Sequence, residues 1–207
     1  MDEPLSLTLL YSANIAGDLA LLPRLHTFLR RLQPAEHQHA LLLDLGGSCS
    51  ADIPHCRETG GRSTLIVLDG MGYHAANVAG ALDRENRDKL AAIVTMGLVD
   101  ERENWHYHVP PLRDPSIRLT LRPRHDGARL QIILQPAAST RIEGTALYLQ
   151  AVDAGQVGEA LVDLRGAPCL LRARVHPMPP DTPPNPSIAG AVEFVEAEAR
   201  FFARQAR

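Results

Sequence analysis

Hydrophobic and polar positions follow two regimes along the chain. In the first, compact apolar runs alternate with stretches of helical spacing. Residues 5–11 are largely apolar and end in the turn-rich tip Ser12-Ala13-Asn14-Ile15-Ala16-Gly17, as expected of a strand covered on both faces. Pro23 then sits where a helix begins; Leu25, Phe28, Leu29 and Leu32 recur at helical spacing, and Arg24, Arg30 and Arg31 are left to face water. The pattern stops at Pro34. Residues 40–45 form a second buried run that closes on Asp44-Leu45-Gly46-Gly47-Ser48. Residues 5–45 therefore predict a βαβ unit with a right-handed connection, and its strand tips mark the sheet edge at which open α/β folds build their sites.

The polar stretch 49–61, punctuated by Pro54 and Gly60-Gly61, predicts a loop. A short helix over 63–71 with Leu65, Ile66 and Leu68 inward, a third strand over 75–78, a tip loop over 79–83 and a charged helix over 84–90 follow. From residue 91 the period changes. Runs at 93–96, 105–109, 117–122, 130–135, 145–151, 157–164 and 169–175 are separated by Pro, Gly and Asp turn signals, which predicts a mainly β second half. Residues 117–122 alternate cleanly, and His125-Asp126-Gly127-Ala128 between two runs predicts a hairpin. Six of the ten residues 177–186 are proline, an extended connector; Ile188, Val192, Val195, Ala199 and Phe202 then predict a final helix over 187–205 with Ser187 as its N-cap.

At 207 residues with 45% hydrophobic content, the chain predicts a single α/β domain over 1–207, with a parallel or mixed sheet in its first half. A formal net charge of −3 provides no basic field, so neither nucleic acid nor a membrane surface is expected as a partner. The acidic start Met1-Asp2-Glu3-Pro4 and the lack of a membrane-length apolar run point to a cytoplasmic protein. Three cysteines, Cys49, Cys56 and Cys169, make no Cys-x-x-Cys pair and an odd count, which predicts free thiols in a reducing compartment. Cys49 and Cys56 share their loop with His55, so a metal or redox role is the alternative there.

Three strand tips, set side by side, carry a resemblance. Residues 10–17 resemble a strand ending in Asn-Asp-x-His-Gly, residues 41–48 resemble Leu-Leu-Asp-x-Gly-Asp-Ser, and residues 75–83 resemble Gly-Asn-His-Glu-Phe-Asp, preceded by Met71-Gly72-Tyr73 in the place of Leu-Gly-Tyr. These are motifs of the metallophosphatase domain of the 5'-nucleotidase family, a calcineurin-like phosphoesterase fold, and 144–151 and 158–164 look like its closing strands. The resemblance implies an αββα sandwich.

The departures fall on the chemistry. Where the family places an Asp and a His on its metals, this chain carries Asn14 and Ala16; where it places the metal-bridging Asp, Gly47; where it places an Asn ligand and a catalytic His, Gly80 and Ala81, one residue short. The family's Gly-His-x-His motif has no counterpart. Two cations held about 4 Å apart need oxygen and imidazole ligands, which hydrogens and methyl groups do not supply. The resemblance thus implies a degenerate relative with no catalytic residues, no metal and no cofactor, acting as a binding scaffold for a protein or for its own copy. Asp44 and Ser48 belong to the same vestigial site, with Asp44 as a buried support for the loop.

Two alternatives remain. One is a phosphoesterase with a rebuilt centre for a divalent metal such as Mn or Zn, drawing on Asn14, Asp44, His74, Asp83 and His106 or His108, the last two on one face of a strand. The other is an anion site at Gly60-Gly61-Arg62-Ser63, where backbone amides, a guanidinium and a hydroxyl meet a helix start.

Overall fold

The computed structural model describes residues 5–34, 39–109, 117–125 and 127–205. The first half runs β1 (Ser6–Ser12), α1 (Leu22–Leu32), β2 (His39–Asp44), α2 (Pro54–Glu58), α3 (Arg62–Gly70), β3 (Ala75–Asn77), α4 (Arg84–Ala91) and β4 (Gly97–Val99). The second half is β5 (Trp105–Tyr107), β6 (Ile117–Thr120), β7 (Leu130–Ala137), β8 (Arg141–Glu143), β9 (Ala146–Gln150), β10 (Gln156–Asp163), β11 (Cys169–Pro177) and α5 (Pro186–Gln205).

Two mixed sheets result. One has the order β11-β10-β1-β2-β3-β4, with β1 to β4 parallel and β10 and β11 antiparallel at one side; the other is β5-β6-β7-β9-β8. Leu7, Leu9, Leu41 and Leu43 of the first sheet meet Leu119, Ile132, Leu134 and Leu147 of the second in one core. The intervening residues Leu10, Leu42 and Ala76 point the other way, into a second core with Leu25 and Leu29 of α1, Leu65 and Leu68 of α3 and Val195 of α5. Burial on both faces is why β1 and β2 lack polar alternation. In β7, Leu130, Ile132 and Leu134 face the first sheet at a period of two.

Tyr11 ties the layers together. Its ring lies against Gly158 of β10, where a β-carbon would stand 2.0 Å from the ring, and its hydroxyl is 3.3 Å from Thr140 Oγ1. The proline-rich connector is held by Arg24, whose Nε donates to the Thr182 carbonyl at 3.1 Å and whose Nη2 donates to the Pro180 carbonyl at 2.7 Å. Among the described residues no helix is long and apolar enough to cross a membrane.

Several expectations are corrected. The stretch 49–61 contains α2, because Pro54 occupies a helix N1 position, where its missing N–H costs nothing. The strand expected over 93–96 forms at Gly97–Val99 instead. β6 and β7 pair in parallel, so 125–128 is not a hairpin turn; Asp126 lies outside the described residues. Asn185, rather than Ser187, caps α5: its Oδ1 accepts from Ser187 N at 3.0 Å and Ile188 N at 3.1 Å. α1, α3, α4 and α5 all contribute to the core on the outer face of the first sheet, so the described residues form helix, sheet and sheet layers, without a second helical layer.

Candidate functional site

The tips of β1 and β2 run side by side beyond the strands. Leu45 N donates to Ser12 O at 2.9 Å, Asn14 N to Gly46 O at 2.9 Å, Ala16 N to Gly47 O at 2.7 Å and Gly17 N to Ser48 O at 2.9 Å. This loop ladder imposes left-handed backbone on Asn14 (φ 56°) and Ala16 (φ 53°), a conformation costing about 1–3 kcal/mol where glycine is not used. Gly47, at φ +72°, is pressed on Asn14: a β-carbon there would lie 2.8 Å from Asn14 Oδ1 and 3.1 Å from its Cα. The Asn14 amide is itself engaged, donating from Nδ2 to the Val152 carbonyl at 3.0 Å.

Beneath this ladder sits Asp44, with no solvent exposure. Its Oδ2 accepts from Ser48 Oγ at 2.5 Å and from Gly46 N at 3.1 Å; its Oδ1 has no hydrogen-bond partner among the described residues. Burial pushes the carboxyl from 3.8 up to about 7, against the opposing pull of the Ser48 and Gly46 bonds. On the same side, Ser12 Oγ and Tyr73 Oη are 2.7 Å apart and buried. Burial, with the Asp44 charge adding, drives the Tyr73 phenol well above its ordinary value.

The third tip is pinned by Asn77, whose Nδ2 donates to the carbonyls of Leu45 at 3.1 Å and Leu134 at 3.3 Å. Gly80 and Ala81 follow and line open space. A cleft of about 290 Å³ is lined by Cys49, Cys56, Arg57, Gly61, Gly80 and Ala81, among others. A second, of about 470 Å³, shares Gly80 and Asp83 with it and continues past Arg87, Asp100 and Glu103.

The residues of a rebuilt metal centre are dispersed. Asp83 caps α4, with Oδ1 accepting from Asn86 N at 2.8 Å, and this backbone bond holds its carboxyl below the usual range. His74 Nδ1 accepts from Leu42 N at 3.0 Å, its ring makes a T-shaped contact with Tyr107, and burial lowers its pKa. His106 lies in β5 and His108 just beyond it, both exposed. Among the described residues, the one set of three His, Cys, Asp or Glu side chains with ligand atoms within 4.8 Å of one another is Cys49, His55 and Cys56.

At the expected anion cradle, donors bond within the chain. Gly61 N donates to Cys56 O at 2.7 Å, Ser63 N to Thr59 Oγ1 at 3.1 Å and Arg62 Nε to Thr59 O at 2.9 Å. Gly60 and Gly61 are required by close approach: β-carbons there would stand 2.3 Å from Asn86 Nδ2 and 2.4 Å from Ala81 O. These N–H groups therefore donate within the chain.

The feature the sequence reading assigned otherwise is the Cys49–Cys56 disulfide, its Cα atoms 5.7 Å apart. The expectation of free thiols fails for this pair because the loop and α2 fold back on each other; Cys169 alone is a free, exposed thiol. The shared loop of Cys49, His55 and Cys56 was the available signal, but spacing does not fix pairing.

The layered mixed sheets and the strand-edge loops give this chain a fold similar to that of a solved structure. The sulfate thiohydrolase SoxB of Thermus thermophilus, solved in complex with glycerol, superposes with a TM-score of 0.65 at 10% sequence identity, over 93% of this chain and 60% of that one. This chain thus matches less than two thirds of that protein's length. No protein-family model and no curated sequence matches the chain.

Proposed function

We propose that this protein keeps a metallophosphatase-like scaffold without the family's two-metal centre and works by binding, through the loops and clefts at the carboxyl edge of the first sheet, a protein partner or a second copy of itself. The observation that carries this reading is the interlock of Asn14 and Gly47: the position matching the bridging acid has neither a ligand atom nor room for one. Ala16, Gly80 and Ala81 add no ligand atoms. The dispersal of Asp44, His74, Asp83, His106 and His108 among the described residues leaves the rebuilt phosphoesterase centre without support.

The test is elemental analysis of the oxidised protein, before and after incubation with manganese or zinc, paired with turnover of an aryl phosphate. Sub-stoichiometric metal and no metal-dependent turnover are expected. Two equivalents of metal together with metal-dependent hydrolysis would overturn the reading.

A further inference from the structure

The Cys49–Cys56 pair is more than a staple between the loop after β2 and α2. His55, the residue before Cys56, is held by both ring nitrogens: Nε2 lies 2.8 Å from the Gly17 carbonyl and Nδ1 lies 2.8 Å from Ser63 Oγ. A carbonyl only accepts, so Nε2 carries a proton, and in the neutral imidazole Nδ1 is then the acceptor for the Ser63 hydroxyl. Ser63 Oγ in turn stands 3.6 Å from Cys49 Sγ and 3.9 Å from Cys56 Sγ. Nδ1 and both sulfurs therefore surround one hydroxyl, and a ring nitrogen of His55 and the two sulfurs fall within 4.8 Å of one another.

This is the donor set of a soft metal site with its outer support in place. An imidazole whose distal N–H is fixed by a backbone carbonyl is the usual arrangement at a metal-ligating histidine. The close packing of the β1 tip maintains it: at Gly17, a β-carbon would stand 2.9 Å from Cys56 Sγ. Tetrahedral zinc, with Zn–S near 2.3 Å, asks the sulfurs to lie roughly 3.7 Å apart, a separation available to thiolates and denied to a disulfide. Cys49 is partly exposed and both cysteines line the 290 Å³ cleft, so a reductant can approach; the Ser63 hydroxyl stands where a fourth ligand would meet the other three.

We propose that the reduced Cys49–Cys56 pair and His55 Nδ1 form a redox-gated site for a soft divalent cation of the zinc class. A dithiol reductant supplies two electrons and two protons, breaking the Cys49–Cys56 bond to give two thiols while the reductant closes to its own disulfide. Metal binding then releases two protons as both sulfurs become ligands. Oxidation by a small-molecule disulfide removes the two electrons, re-forms the bond and expels the ion. The site borders the same cleft as the vestigial positions Gly80 and Ala81 but draws on none of the vestigial residues, and the oxidised state used in the test of the proposed function has no thiolates here, so the two tests fail separately.

The experiment is a Co²⁺ titration in a Cys169→Ser background, with the oxidised and dithiol-reduced proteins in parallel and folding followed by circular dichroism. Expected are one equivalent of Co²⁺ with a thiolate-to-metal charge-transfer band in the reduced protein, and no such band in the oxidised one. Cys49→Ser should abolish the band, and His55→Gln, which keeps both sulfurs, should weaken binding at least ~10-fold. Equal Co²⁺ binding in both redox states, binding unaffected by His55→Gln, or loss of the fold on reduction would each overturn the proposal.

Discussion

Asp44→Asn tests the electrostatics of the loop ladder. Asp44 is fully buried with one oxygen unpartnered among the described residues, and burial raises its carboxyl from 3.8 to about 7. Between those values the folded protein holds a proton that the unfolded chain has released, so stability is fullest below the lower value and is lost as pH rises through the upper. Each pH unit is worth about 1.4 kcal/mol, which makes the loss about 4 kcal/mol across the interval. That is a large share of the ~5–15 kcal/mol stability of an ordinary domain. An asparagine side chain still accepts the Ser48 and Gly46 bonds at one oxygen but has no proton to lose. The assay is urea unfolding of both proteins, disulfide intact, from about pH 4 to about pH 8. Near the acid end the two should differ only by a fixed offset of about 1 kcal/mol from altered hydrogen bonds. Toward the alkaline end, the variant should gain on the wild type. A difference that stays flat across the range would refute the reasoning, because it would mean that the Ser48 and Gly46 bonds keep Asp44 ionised in the fold.

Other substitutions probe the same structure. Gly47→Asp restores the family's acid, but its β-carbon meets Asn14 and its φ is +72°, so a loss of about 1–3 kcal/mol without metal-dependent aryl phosphate turnover is expected from thermal melts and assay. Gly158→Ala forces the Tyr11 ring from its seat against β10, and should cost at least ~1–3 kcal/mol in denaturant unfolding. Arg24→Ala removes the clamp on the connector carbonyls; limited proteolysis should cut within 178–185 faster, while global stability changes by about 1 kcal/mol.

The sequence determined by itself the elements whose burial is continuous. The runs at 5–11 and 40–45 are unbroken because β1 and β2 are covered on both faces. The alternation at 117–122 marks a strand with unlike faces, and the spacing from Ile188 to Phe202 marks α5. Local signals fix local structure. The parallel pairing of β6 and β7, the union of Cys49 with Cys56, the meeting of His55 with Ser63 and Gly17, and the pressing of Gly47 on Asn14 were decided by tertiary structure alone. Each joins positions that have no periodic relation in the chain. Residue type says that a glycine fits where Gly47 stands, but only the approach of the β1 tip to the β2 tip says what fills the space. Asp44 shows the same division: the sequence places an acid at a strand end, and only packing removes its water and moves its proton equilibrium.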